Sequence, residues 1–135
     1  MVNDVVHFEG GGIRQSALGK GTFKYIPTVA LRRLSHRYQY GEIKYGATDN
    51  FKKGLPISDC WDSAMRHMVA YLEGDNSEDH MAAVIWNACC IMEMECNNRN
   101  FVDIDSRKNI PARKCSPEYY RDLALKCLQK GENLK

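Results

Sequence analysis

Between Arg66 and Asn87 the chain gathers polar side chains able to hold a cation or a phosphate: Arg66, His67, Glu73, Asp75, Asp79, His80 and Asn87. Glu73, Asp75 and Asp79 fall within seven residues of one another. Hard divalent ions such as Mg²⁺ take oxygen ligands, keep several waters and bridge one or two carboxylates to phosphate oxygens. The acidic corner therefore has the composition of a magnesium site. On the local pattern alone the same acids better suit a solvated loop that complements the positive start of a helix. His80 and Asn87 are seven apart, which on a helix places both on one face, where they could meet a common ligand. His67 and His80 are thirteen apart with no third obvious ligand, a weak motif for zinc. A lone helical histidine is more often a hydrogen-bonded structural residue than a ligand, and the neighbouring carboxylates strengthen the ligand reading.

A second constellation is Tyr40-Gly41-Glu42-Ile43-Lys44-Tyr45-Gly46. Glu42 could join a metal site and Lys44 could meet a phosphate; the alternative is a surface ion pair followed by a glycine stop. Arg14, Lys20, Lys24, Lys52 and Lys53 offer further anion contacts from segments where glycine permits close backbone approach. Gly19-Lys20-Gly21 is not a P-loop, because the G-x-x-x-x-G-K-[ST] spacing is absent. No serine sits in a G-x-S-x-G elbow and no cysteine pairs recognisably with a histidine, which leaves nucleophilic catalysis little support. Asp79-His80 lacks the additional ligands that an HD-type phosphohydrolase needs.

The elements that must position these residues follow from apolar spacing. Gly10-Gly11-Gly12 and Gly19-Lys20-Gly21 frame Arg14, and glycine this dense predicts an extended arm over residues 1–27, with a short strand at Phe23 to Ile26. Thr28 is the expected N-cap of a first helix through Tyr45, with Leu31, Leu34, Tyr38 and Ile43 as its apolar positions and Gly46 as its stop. After a loop from Asn50 to Pro56, Ser58 is the expected cap of a second helix ending at Leu72. Trp61, Ala64, Met65, Met68 and Leu72 form its apolar stripe. Gly74 ends that helix, and Ser77 begins a third running to about Cys96, with Met81, Val84, Ile85, Ala88, Ile91 and Met92 facing the core. Residues 97–116 read as a polar, irregular loop. Ser116-Pro117-Glu118 opens a last helix to about Lys130. The architecture expected is all-α: one domain over residues 1–135, a bundle of three to four helices with a glycine-rich N-terminal arm.

The chain of 135 residues can bury a core without staples. Its 19 basic and 17 acidic residues give a net charge of +2, which sets up no field for a nucleic-acid duplex but leaves a small anion open. No apolar run approaches the roughly 20 residues that span a bilayer, and no signal-peptide core is visible, so a cytoplasmic location is expected. Cys60, Cys89, Cys90, Cys96, Cys115 and Cys127 follow no paired spacing and read as reduced thiols, several of them buried, with zinc a distant second.

Taken in order, Arg14-Gln15, Gly19-Lys20-Gly21, Phe23-Lys24-Tyr25-Ile26-Pro27, Tyr40 to Gly46, Asn50-Phe51-Lys52-Lys53-Gly54, Arg66-His67 with Ala70, Gly74-Asp75, His80 and Asn87 carry a resemblance. From about Gly12 to Glu95 the sequence resembles a largely phage and prophage family, the dATP/dGTP diphosphohydrolases (N-terminal domain). The resemblance implies a helical nucleotide-handling protein akin to the nucleoside triphosphate pyrophosphohydrolases of the MazG type, forming a homo-oligomer and using Mg²⁺ to cut a purine deoxynucleoside triphosphate to monophosphate and pyrophosphate. Glu73, Asp75 and Asp79, joined by Glu42, would hold the metal, and one carboxylate would orient water. Arg14, Lys20, Lys24, Lys44 and Arg66 would neutralise phosphate. His67, His80 and Asn87 would line the site, one histidine as general acid or base, and Trp86, Tyr45 or Phe51 would stack on the base.

The acidic corner is shorter than the family's G-E-x-x-D-x-x-S-G-x-x-H-x-x-H, Ala83 stands at the second histidine position, and Glu42 replaces a more usual small residue. The E-E-x-x-E helix of MazG-type enzymes is also absent. These departures bear on catalysis more than on binding. The rival reading is a protein that sequesters a nucleotide or cyclic-nucleotide signal intact, as a phage counter to host defence; a third is a structural module that binds no nucleotide.

Overall fold

The computed structural model describes residues 5–46 and 50–133. It divides into two compact units, one formed by residues 24–113 and the other by the two ends of the chain, up to residue 23 and from residue 114 onward. The protein is mostly helical, with one small sheet of two strands among the described residues.

Three helices build the central unit: α1 (Thr28–Tyr45), α2 (Ile57–Leu72) and α3 (His80–Asn97). Helix α2 packs along α3, and α1 packs against α3 as well. Both expected serine and threonine caps are corrected. Pro27 and Pro56 precede α1 and α2, and their own carbonyls accept the first helical N–H groups, those of Ala30 and Leu31 and of Asp59 and Cys60. Proline's fixed φ holds the chain extended just before each first turn. Ser58 lies inside α2 and gives its N–H and hydroxyl to Asp103, at 2.9 and 2.5 Å. Helix α3 starts three residues later than Ser77 because Asp79 is its cap, its side chain accepting from Ala82 N at 3.1 Å. Gly46 closes α1 as expected, in the left-handed region at φ 72° with its N–H on the Glu42 carbonyl.

Two apolar faces also differ from expectation. On α2 the buried residues are Ile57 and Cys60, while Trp61, Met65, Met68 and Leu72 are exposed. On α3 the buried face is His80, Ala82, Ala83, Asn87, Cys90 and Met94, with Ala88 and Met92 outside it. Ala82 and Ala83 are fully covered on that face, where their small side chains leave room for the packed helices. The segment expected to be a polar loop supplies core instead. Its turn Arg99–Phe101 and a four-residue helix, α4 (Asp105–Lys108), bring Val102 against Ile57 and Met94, with Ile91, Phe101 and Ile104 around them.

In the other unit the expected arm is a hairpin. Strand β1 (Val5–His7) pairs antiparallel with β2 (Ile13–Gln15), Val6 facing Arg14. A turn closed by Phe8 and Gly12 joins them, using Gly11 at φ 87°. Residues 1–4 of that arm lie outside the described residues. Phe23–Tyr25 is a 3₁₀ turn where a strand was expected. Helix α5 (Pro117–Asn133) completes the unit, and a side chain at Gly19 would strike the Arg121 backbone. The close approach this glycine permits is to protein. No helix among the described residues is long and apolar enough to cross a membrane.

Candidate active site

The corner between α2 and α3 places an imidazole from each helix side by side. His67, on the last turns of α2, and His80, the first residue of α3, meet with their Nδ1 atoms 2.9 Å apart. Gly74, at φ 84°, turns the chain sharply enough to allow this, and Asp75 N closes the turn on the Ala70 carbonyl at 3.0 Å. His80 is buried, at 6 % exposure, and its Nε2 donates to Asp75 Oδ2 at 2.7 Å. Asp75 is fixed in turn by Ser77, whose hydroxyl and N–H it accepts at 2.9 and 3.2 Å. A carboxylate on Nε2 keeps the proton there, so His80 presents a lone pair at Nδ1 and His67 Nδ1–H donates to it.

Glu78 completes the group. Its Oε1 lies 3.4 Å from His67 Nδ1 and 3.2 Å from Arg37 Nη1. One ligand atom from each of His67, Glu78 and His80 lies within 4.8 Å of the others, and this is the one such set of three among the described residues. One helical turn away on α1, Arg33 grips Asp79 through Nε and Nη2, at 2.7 and 2.6 Å.

The electrostatics follow from these contacts. Burial pushes the His67 imidazole below its ordinary value, opposed by Glu78 and assisted by Arg37, His80 and Arg66, so the ring is neutral at pH 7. The His80 and Ser77 hydrogen bonds hold the Asp75 carboxyl below the usual range. The Arg33 hydrogen bonds hold Asp79 lower still, at about 2.

The other expected site residues are distributed as follows. Asp79 joins the corner as a cap and as the partner of Arg33. Glu42 and Glu73 are exposed, Glu42 on α1 and Glu73 just past α2, and with Asp75 and Asp79 they do not gather into a ligand set among the described residues. Asn87 shares the buried face of α3 with His80, but its amide is used within the fold, on Ser63 Oγ at 3.3 Å and the Ala83 carbonyl at 2.9 Å. Arg66 is exposed beside His67. Trp86 is half-buried with its ring 6.3 Å from Tyr38, and Phe51 flanks the same tyrosine at 6.0 Å. Lys44 lies over exposed Tyr45 at the end of α1, and Lys24 over Tyr25. Arg14 and Lys20 belong to the other unit, where with Phe8, Ile13 and Gln15 they line a cavity of about 750 Å³.

Sequence reasoning missed Glu78, Arg33 and Arg37. The arginines carried a signal, since spacing of four on a predicted helix puts both on one face. Glu78 carried none that set it apart from the acids around it.

The fold and this corner together define a helical protein with a histidine–carboxylate centre flanked by arginines. The chain belongs to the family described as dATP/dGTP diphosphohydrolase, N-terminal, which matches residues 11–105. No curated protein and no solved structure matches it. The match takes in all of α1, α2 and α3 and every residue of the corner.

Proposed function

We propose that the chain hydrolyses a purine deoxynucleoside triphosphate to the monophosphate and pyrophosphate at the corner of α2 and α3. The observation that carries this reading is that the family match and the one histidine–carboxylate group among the described residues fall on the same segment. A divalent ion supplies charge screening and an activated water to such a reaction, and His67, Glu78 and His80 are the residues that would hold it. Arg37, one turn from the Asp79-paired Arg33 on α1, would meet the substrate's phosphates and offset the charge that grows on pyrophosphate as the bond to the α-phosphorus breaks. Glu78, the most exposed member of the group, would ligate the ion through one carboxylate oxygen and orient the attacking water with the other. Asp75 acts through His80, holding its ring and tautomer. Self-association belongs to the same reading, supported by the exposed row Trp61, Met65, Met68 and Leu72 on α2.

The test is incubation of the full chain with each deoxynucleoside triphosphate and with cyclic oligonucleotides, with Mg²⁺ or Mn²⁺ or neither, followed by chromatography and mass analysis. Monophosphate and pyrophosphate should form from dATP or dGTP, and Arg37→Ala should lower kcat/KM by about 10-fold or more, the loss of one charge-assisted contact. Nucleotide bound but recovered intact would replace hydrolysis with sequestration.

A further inference from the structure

We infer that His67, Glu78 and His80 bind one first-row transition dication of the manganese-to-zinc range through two imidazole nitrogens and one carboxylate oxygen, and that this centre discriminates against magnesium. The inference deepens the hydrolase reading by naming the cation its site takes, yet it rests on geometry that is measurable without substrate.

Imidazole nitrogens suit zinc, copper, iron and nickel, whereas magnesium takes oxygen and keeps its waters. The two Nδ1 atoms are 2.9 Å apart. Nitrogens each about 2.0–2.1 Å from a common ion at that separation subtend roughly a right angle at it, the angle between neighbouring positions of an octahedron. The carboxylate oxygen of Glu78 lies 3.4 Å from His67 Nδ1, and the three ligand atoms lie within 4.8 Å of one another, so a small shift of the exposed Glu78 side chain brings a third ligand to the same ion. A facial set of two histidines and one carboxylate leaves the opposite positions open to water or phosphate.

The surroundings have the form of a built metal site. His80 is 6 % exposed, and its far nitrogen is held by Asp75, the carboxylate–histidine relay that fixes a ligand ring and raises its basicity. Asp75 is itself anchored by Ser77, so the ring cannot turn away without breaking a chain of three groups. In the metal-free protein the His67 Nδ1 proton fills the gap between the rings, and ligation of a cation at Nδ1 requires that proton to move to Nε2 of the same ring, which stays neutral. Local charge permits a cation to approach: Asp75, Glu78 and Asp79 stand against Arg33, Arg37 and Arg66, and Arg33 is already neutralised by Asp79. Glu78 is shared with Arg37.

The full chain, stripped with chelator, is titrated with MnCl₂, CoCl₂, ZnCl₂ and MgCl₂ separately by calorimetry, with the visible absorption of the cobalt form as a direct report of its ligands. One transition ion should bind per chain, and magnesium should bind measurably more weakly than each of them, as imidazole ligation favours the softer ions. Glu78→Gln, at an exposed position that leaves the helices intact, should weaken binding and shift the cobalt spectrum; His67→Ala should do so more strongly. Asp75→Asn should cost about 10- to 100-fold in affinity. Magnesium binding as tightly as manganese, no stoichiometric binding, or an unchanged cobalt spectrum in Glu78→Gln would overturn the inference. Tight metal binding without turnover leaves it standing and removes only the hydrolase reading; turnover with no bound transition ion does the reverse.

Discussion

Asp79 shows how much one side chain can settle. It stands in an acidic run and reads as a metal ligand, but one of its oxygens caps α3 through Ala82 N while both receive the Arg33 guanidinium. The two roles separate by substitution. Asp79→Ala removes cap and ion pair and should lower stability by about 1–2 kcal/mol, whereas Asp79→Ser keeps a capping oxygen and should cost less than about 1 kcal/mol. The ion pair contributes the smaller share because its side chains are 50 % and 37 % exposed and screened by water. Urea unfolding of the two variants measures both. Equal losses would mean that the cap contributes nothing.

At the scale of elements, the start of α2 is determined by a residue forty-five positions away. Asp103 receives the Ser58 N–H and hydroxyl, supplying from outside the carboxylate that Pro56 cannot. Those hydrogen bonds hold the Asp103 carboxyl below the ordinary range. Because the folded value lies below the unfolded one, about 3.9, the stabilisation is complete at neutral pH. It fades as pH falls below that value and the carboxylate takes up a proton. Asp103→Ala should therefore destabilise the protein by about 1 kcal/mol at pH 7, and the gap to the unsubstituted chain should narrow toward pH 3 in denaturant titrations. A gap independent of pH would assign the effect to packing. The same segment is pinned from a second side. Gly54, at φ 106°, has no room for a side chain, because one would enter the Phe101 ring. Residues 99–104 are thus held between α2, α3 and the loop before α2, and their apolar side chains complete the core.

For the whole molecule, the cysteines report how burial is distributed. No disulfide joins the six; Cys60 and Cys90 are buried, Cys89 and Cys96 half-buried, and Cys115 and Cys127 exposed. Cys60 and Cys90 share a hydrogen bond that, together with burial, pushes the Cys90 thiol up. Thiol titration of the native chain should label Cys115 and Cys127 first and Cys60 and Cys90 only on unfolding. Reductant should leave the thermal midpoint unchanged. Uniform labelling at one rate would show that the helices of the central unit open as readily as the ends of the chain.

The sequence determined by itself the features that depend on neighbours along the chain. The range of α1, its glycine stop at Gly46, the proline start of α5 and the reduced state expected of the thiols follow from backbone preference and local pattern, and the order of motifs from Arg14 to Asn87 carries the family. Tertiary structure decided what depends on contacts between distant residues. Which side of α2 is covered is a matter of what α3 brings against it, and an apolar stripe says only that such a side exists. Whether Asp79 is a ligand or a cap turns on where Arg33 lies, forty-six residues earlier. His67 and His80, thirteen apart and unremarkable as a spacing, become one group because Gly74 reverses the chain and Asp75 holds the second ring. A metal centre or an ion pair is set by distances of a few ångströms between side chains, and sequence separation carries almost no information about such distances until the helices have packed.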